Sequence, residues 1–112
     1  MIVPVTDATF DELVLRAELP VLLDFTADWC PPCRMIEPVL HQISVEQEGR
    51  LVVAQLDVDA NPLTARDAGV LGMPTLNLYV DGRVVTQVVG ARPKAALMRA
   101  IENHLPVRAS IA

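Results

Sequence analysis

The stretch Trp29-Cys30-Pro31-Pro32-Cys33 decides how this 112-residue chain is interpreted, because it contains the only two cysteines. Two thiols separated by two residues can form and break a disulfide with each other as electrons arrive and leave. Residues 21–25 (VLLDF) have the near-continuous apolar pattern of a buried strand, and residues 34–47 have the apolar spacing of a helix. The dithiol is therefore predicted to lie at a helix N-terminus, where N–H groups and the helix dipole stabilise a thiolate. This position predicts thiol–disulfide exchange.

Composition and charge narrow the classes of function. A chain of 112 residues that is 52% apolar predicts one globular domain over 1–112, with 106–112 as a short C-terminal tail. The net charge of −5 argues against nucleic acid, which requires clustered Lys and Arg. No apolar run approaches the roughly 18 residues of a membrane span. The first residues lack the basic and apolar regions of a secretory signal, so we expect a cytoplasmic protein, with a removed export signal left open.

The predicted elements follow the order β-α-β-α-β-α-β-β-α. Strands are expected at 2–5, 21–27, 51–58, 75–80 and 84–89. Helices are expected from Thr6-Asp7 or Thr9 onward, over 34–47, from Asn61-Pro62 to Gly69, and over 93–104. Parallel crossovers come first, and an antiparallel hairpin with an Asp81-Gly82 turn comes last. We predict an α/β protein of three layers, α/β/α, with a central mixed five-stranded sheet and helices on both faces.

Two helix starts carry candidate capping residues. If the first helix begins at Thr9, then Thr9 and Glu12 have the spacing of a capping box. Asn61, followed by Pro62 at the first helical position, is predicted to cap the helix that Gly69 closes.

A zinc site is the other chemical use of two cysteines at this spacing. Such a site would need two further ligands. The two histidines, His41 and His104, are 63 positions apart, and the sequence has no second cysteine pair. We therefore predict no metal ion, and we expect both histidines to be solvent-exposed helix residues.

Four separated motifs together resemble the thioredoxin family. They are 21–25 (VLLDF), 29–36 (WCPPCRMI), 72–75 (GMPT) and 89–91 (VGA), and the resemblance spans about residues 5–105. It implies the thioredoxin fold, a central sheet flanked by four helices, which matches the element order above. It also implies a monomer that reduces disulfide-containing proteins. Such a protein binds no cofactor and draws electrons from NADPH through thioredoxin reductase.

Cys30 is the predicted nucleophile and Cys33 the predicted resolving thiol. As the residue that caps the helix, Cys30 can accept the backbone N–H of Cys33, whereas Pro32 has no N–H to offer. A thiol that normally titrates near ~8.5 can be lowered to about 7 there, or roughly 2 kcal/mol in favour of the thiolate. Cys33, one turn inside the helix and more buried, would attack Cys30 in the mixed disulfide and release the substrate. The alternative is a purely structural or incidental pair.

Asp24 is the candidate proton acceptor. A carboxylate among apolar strand residues is costly to bury in its charged form, so we expect a raised pKa. The resemblance implies that Asp24 lies beneath Cys33 and takes or returns its proton. Family members often carry a lysine on the next strand where this chain has Gln55, and without that cation Asp24 should hold its proton more tightly. The alternative is a solvated, inert carboxylate at a strand end.

The resemblance further implies a cis-proline, Pro74, that faces the dithiol and exposes the Met73 backbone for pairing with an extended substrate. An ordinary trans proline in a turn is the alternative. We expect Trp29 at the surface beside an exposed Cys30 thiol. The implied substrate-binding rim around the cysteines comprises Trp29, Pro31, Pro32, Val58, Met73, Val89, Gly90 and Ala91. For Val58 and Met73, core packing remains an equal alternative.

Two further departures from the family pattern leave the reduction potential open. Pro31 replaces the commonest glycine and should stiffen the loop. Thr26 replaces a frequent tryptophan, which should leave the surroundings of the site smaller or looser. Two other functions stay open: a disulfide oxidase or isomerase of an oxidising compartment, and a binding subunit in which the redox pair is idle.

Overall fold

A mixed five-stranded sheet organises the chain. The computed structural model describes residues 1–107. Its strands are β1 Val3–Pro4, β2 Val21–Thr26, β3 Val52–Asp57, β4 Thr75–Val80 and β5 Arg83–Val89. Their order across the sheet is β1-β3-β2-β4-β5, with β1, β3 and β2 parallel and with β4 and β5 antiparallel to their neighbours. Asp81 and Gly82 both have positive φ, as the tight turn between β4 and β5 requires. The predicted sheet and its closing hairpin are confirmed.

Helices cover both faces of this sheet. They are α1 Pro31–Glu46, α2 Pro62–Asp67 and α3 Lys94–Ile101, which continues into a 3₁₀ turn at Glu102–His104. A short π-helix, Asp11–Leu15, stands where the first helix was expected. The predicted α/β/α layers with four helices are confirmed. The tail was predicted over 106–112, and residues 108–112 of it lie outside the described residues.

The side chains of β2 alternate between the two faces of the sheet and so contribute to two separate halves of the core. Leu22 packs with α1 and α3 residues such as Ile36 and Leu97 on one face of the sheet. Leu23 and Phe25 belong to the core on the opposite face, with the π-helix and α2. Because successive strand residues point to opposite faces, Asp24 shares the α1 face with Leu22. That placement brings a carboxyl group beneath the helix that carries the cysteines.

Both predicted helix caps are wrong. The Thr9 hydroxyl accepts the backbone N–H of Thr6 at 2.9 Å, and the π-helix has no side-chain cap. Asn61 does not cap α2, because its Oδ1 accepts the backbone N–H of Asp7 at 2.9 Å. The carboxylate of Asp7 instead accepts the N–H groups of Leu63 and Thr64 at 3.2 and 2.9 Å. The N-terminal segment therefore supplies the cap of a helix more than fifty residues away.

Candidate active site

The two cysteines form a disulfide at the first turn of α1. Cys30 precedes the helix in an extended conformation, and its Sγ accepts the backbone N–H of Cys33 at 3.3 Å. Pro31 and Pro32 fill the first two helical positions, where their missing N–H groups have no intrahelical partner to lose. The predicted capping of the Cys30 sulfur is confirmed. The arrangement presents this sulfur to a helix N-terminus, which favours its thiolate after reduction.

The cysteines are more enclosed than the sequence indicated. In the disulfide form Cys30 is 3% exposed and Cys33 is 1% exposed. They pack with Ala27, and Val58 and Met73 lie against this small cluster. The prediction of an exposed Cys30 is therefore wrong for the oxidised protein, in which Val58 and Met73 pack against the cysteine cluster.

Trp29 lies at the surface, as expected, with 64% of its area exposed. Its indole Nε1 donates a hydrogen bond to Asp59 Oδ2 at 2.7 Å. This bond fixes the exposed ring beside Cys30. The sequence does not predict this role of Asp59, since an acidic residue in a loop thirty positions away carries no local signal.

The Met73–Pro74 peptide bond is cis, as the family resemblance implied. Pro74 is buried, and its carbonyl accepts the Gly90 N–H at 2.8 Å. A Cβ atom at Gly72 would lie 3.0 Å from Val89 Cγ1, so the loop at Gly72 lies against the end of β5. These contacts bring the motifs at 72–75 and 89–91, which are separated in the sequence, together in one surface.

The remaining rim residues differ in exposure. Met73 and Val58 are half-buried and contact the cysteine cluster, so both contribute to packing there. Gly90 is half-buried, whereas Pro31, Pro32, Val89 and Ala91 are exposed, as Trp29 is. Leu71, which was not among the predicted rim residues, is 99% exposed directly before Gly72.

Asp24 is fully buried. Its Oδ2 accepts a hydrogen bond from Gln55 Nε2 at 3.0 Å, and none of residues 1–107 donates to its Oδ1. Burial raises the pKa of Asp24 to about 6; the Gln55 hydrogen bond opposes this change and the nearby Glu37 charge adds to it. The predicted raised pKa is confirmed, and the alternative of a solvated carboxylate is wrong. Glu37 was not among the predicted site residues, although its position four residues after Cys33 places both on one face of α1.

The two histidines are solvent-exposed, as predicted. His41 lies on α1 and His104 on the turn after α3. Within residues 1–107, no three His, Cys, Asp or Glu side chains are grouped so as to hold a metal ion. No helix in this part of the chain has the length and apolar character needed to cross a membrane.

Comparison with known proteins agrees with this geometry. The family model for Thioredoxin matches residues 1–103. The chain belongs to the thioredoxin family. It is 50% identical over 104 residues to a thioredoxin from Mycobacterium tuberculosis (strain ATCC 25618 / H37Rv), covering 93% of this chain and 90% of the relative. It is 53% identical over 95 residues to a Streptomyces clavuligerus thioredoxin, covering 85% and 88%. It is also 48% identical over 104 residues to a bifunctional thioredoxin reductase/thioredoxin from Mycobacterium leprae (strain TN), covering 93% of this chain and 23% of that relative.

Family membership and the Cys30–Cys33 disulfide together establish the class of activity. The protein is a thiol–disulfide oxidoreductase with protein-disulfide reductase activity. Proteins of this family need no bound cofactor, since the cysteine pair itself carries the two electrons.

Proposed function

We propose that Cys30 is the attacking and Cys33 the resolving thiol of this reductase. The Cys30 thiolate attacks one sulfur of a substrate disulfide, so that an intermolecular disulfide forms and the other substrate sulfur leaves as a thiolate that takes up a proton. Cys33 then loses its proton and attacks Cys30 Sγ. The Cys30–Cys33 bond forms, the second substrate thiolate leaves, and two electrons have passed to the substrate. The observation that carries this assignment is the Cys33 N–H donated to Cys30 Sγ, which favours the thiolate on Cys30.

Asp24 is the proposed proton acceptor for Cys33. It lies on the α1 face of β2, and its pKa of about 6 leaves it ionised and basic near neutral pH. Once protonated, it can return the proton to a leaving thiolate. Because the Gln55 hydrogen bond occupies Oδ2, the oxygen free to take the proton is Oδ1.

The proposed substrate site is the rim around the disulfide. Exposed apolar groups of Trp29, Val89 and Ala91 would contact varied substrates, and the backbone beside cis-Pro74 would pair with an extended segment. Pro31, Pro32, Val58, Met73 and Gly90 complete this surface. General apolar and backbone contact suits broad specificity.

The proposed electron source is a thioredoxin reductase that draws on NADPH. Support comes from the Mycobacterium leprae relative, whose name joins a thioredoxin reductase and a thioredoxin in one protein. We place the chain in the cytoplasm as a monomeric single domain over 1–112, which acts on disulfide-containing proteins. Membership of the thioredoxin family over residues 1–103 supports that location.

Trapping experiments test the cysteine roles. Cys33→Ser should accumulate a covalent complex with a disulfide-bonded protein such as insulin, because nothing resolves the mixed disulfide. Cys30→Ser, its matched control, should accumulate none. Accumulation in Cys30→Ser but not in Cys33→Ser would show that the two roles are reversed.

A redox titration tests the direction of electron flow. Trp29 is the only tryptophan and is adjacent to Cys30, so its fluorescence reports the dithiol state in defined redox buffers. A midpoint near about −270 mV is expected of a reductase. A midpoint nearer about −120 to −180 mV would instead indicate an oxidant or isomerase.

A further inference from the structure

One amide group joins two carboxylates beneath the active site. Gln55 Nε2 donates to Asp24 Oδ2 at 3.0 Å and to Glu37 Oε1 at 3.2 Å. An amide NH₂ has two hydrogens, so each carboxylate receives one. Gln55 is paired with Asp24 in the β2–β3 register, and Glu37 reaches down from α1. The three side chains therefore form a continuous polar connection from the buried Asp24 to the helix surface.

This connection ends at an open cavity of about 640 Å³. Glu37 and Gln55 line the cavity, whereas Asp24 is completely buried behind them. Thr26 also lines it. The cavity thus offers solvent a path to the Gln55–Glu37 end of the connection.

We propose that Glu37 is a positioning residue for proton transfer at Cys33: it acts on Asp24 through the shared Gln55 amide and lies on the path by which the proton of Asp24 exchanges with solvent. The inference rests on the proposed role of Asp24 as the base for Cys33. Glu37 touches neither sulfur in the contacts described above. Its effects are to orient Gln55 and to place a negative charge near Asp24.

The charged groups around the connection are few. Besides Glu37, the cavity is lined by Arg34 and His41 of α1. Asp28, in the loop after β2, and Asp57, at the end of β3, also line it. The N-terminal segment contributes only the uncharged residues Ile2, Pro4, Val5 and Thr6. The Arg34 guanidinium donates to the Asp28 carbonyl, so it is held against the loop after β2. Of the charged side chains that line the cavity, Glu37 is the one that accepts a hydrogen bond from Gln55, whose other acceptor is the buried Asp24.

The charge on Glu37 has a defined consequence for the reaction. A negative charge near a second carboxylate disfavours ionisation of the latter and makes it the stronger base. Asp24 then accepts the Cys33 proton more readily as the new Cys30–Cys33 bond forms.

Carbon-13 NMR of the side-chain carboxyl of Asp24 tests the inference in the oxidised protein. Glu37→Gln keeps the shape and an oxygen that can accept the Gln55 hydrogen bond, but it removes the charge. We expect the Asp24 midpoint to fall by on the order of one pH unit. Glu48→Gln is the matched control, because it makes the same change at an exposed position beyond the end of α1 and should leave the midpoint in place.

A double-mutant cycle tests the bridge. In a Gln55→Met background, the shift caused by Glu37→Gln should shrink to half or less. A shift of full size would mean that Glu37 acts only through space and would overturn the role given to Gln55.

The pH profile of mixed-disulfide resolution separates this inference from the proposed function. In Glu37→Gln we expect the acidic limb of the resolution rate to move to lower pH by the same amount as the Asp24 midpoint. An unmoved midpoint overturns the action of Glu37 and leaves the role of Asp24 standing. A midpoint that moves in Glu37→Gln, together with a resolution profile that is unchanged in both Glu37→Gln and Asp24→Asn, overturns the role of Asp24 and with it that of Glu37.

Discussion

Gln55 and Asp24 face each other across the β2–β3 pair and are joined by a 3.0 Å hydrogen bond from amide to carboxylate. The amide satisfies one oxygen of a fully buried carboxyl group without supplying a compensating charge. Burial therefore dominates, and the pKa of Asp24 rises to about 6. A cation at the same position would supply the missing charge and reverse much of that rise.

Replacing Gln55 by lysine should accordingly lower the Asp24 midpoint. An ammonium group within hydrogen-bond distance favours the ionised carboxylate, and we expect a fall on the order of one pH unit or more. Carbon-13 NMR of the Asp24 carboxyl in oxidised Gln55→Lys measures it. Gln42→Lys, which adds the same charge at an exposed position of α1, should leave the midpoint unchanged. An equal fall in both variants would show that net charge, not the local contact, sets the pKa.

Asp24→Asn should stabilise the oxidised protein at alkaline pH. The folded pKa of about 6 lies above the ordinary value of 3.8, so the folded state holds this proton more tightly than the unfolded chain. Stability is therefore lost as the pH rises from about 3.8 to 6, and the full cost above pH 6 is about 3 kcal/mol. Removing the charge removes this cost. We subtract the free energy of unfolding of the parent from that of the variant. We expect this difference to be about 3 kcal/mol more favourable to the variant at pH 8 than at pH 3.5.

Urea unfolding of both oxidised proteins across this range measures the difference. Asp28→Asn, at an exposed position, is the control and should show no comparable change. A stability difference between Asp24→Asn and the parent that stays constant from pH 4 to 8 contradicts the raised pKa.

The Trp29–Asp59 hydrogen bond should support substrate binding. Asp59→Ala removes the acceptor of the indole N–H, so the exposed ring gains freedom that a substrate must then restrict. We expect KM for a protein disulfide to rise about fivefold with kcat unchanged, corresponding to about 1 kcal/mol. Asp59→Asn keeps an oxygen acceptor and should stay close to the parent. Unchanged fluorescence anisotropy of Trp29 in Asp59→Ala would contradict the idea that this bond holds the ring.

Much of this architecture is local in origin and could be predicted from the sequence. The apolar run of β2 and the alternation and turn residues of the β4–β5 hairpin each act over a few positions. The cap of Cys30 follows from two prolines without N–H groups and one cysteine with an N–H. Pro74 required the family resemblance, because spacing alone does not distinguish a cis from a trans proline.

The remaining features depend on residues distant in the chain. The residues that neighbour Cys30 in the sequence do not indicate that Val58 and Met73 pack against the cysteine cluster. The indole partner Asp59 and the polar connection from Asp24 to Glu37 become visible only when β3 and α1 lie beside β2. The spacing of Cys33 and Glu37 was the one local signal of that connection.

The Asp7 cap provides a stability test far from the disulfide. The carboxylate of Asp7 accepts the N–H groups of Leu63 and Thr64, two donors at the start of α2 that have no intrahelical partner. Burial raises the pKa of Asp7, but hydrogen bonds from Thr64 and Leu63 outweigh it and hold the pKa below its ordinary value of 3.8. The stability that this cap contributes is therefore present above about pH 4 and is lost as the pH falls through the folded pKa.

Asp7→Ala should lower the thermal midpoint at pH 7 by several degrees, because both helix donors lose their acceptor. Asp7→Asn retains one acceptor oxygen and should lose less, and Glu12→Ala, at an exposed position of the π-helix, should change little. Calorimetry at pH 7 and near pH 2.5 measures these differences, and the gap between Asp7→Ala and the parent should narrow at the lower pH. A gap of the same size at both pH values would mean that packing of the N-terminal segment, and not the carboxylate, supports α2.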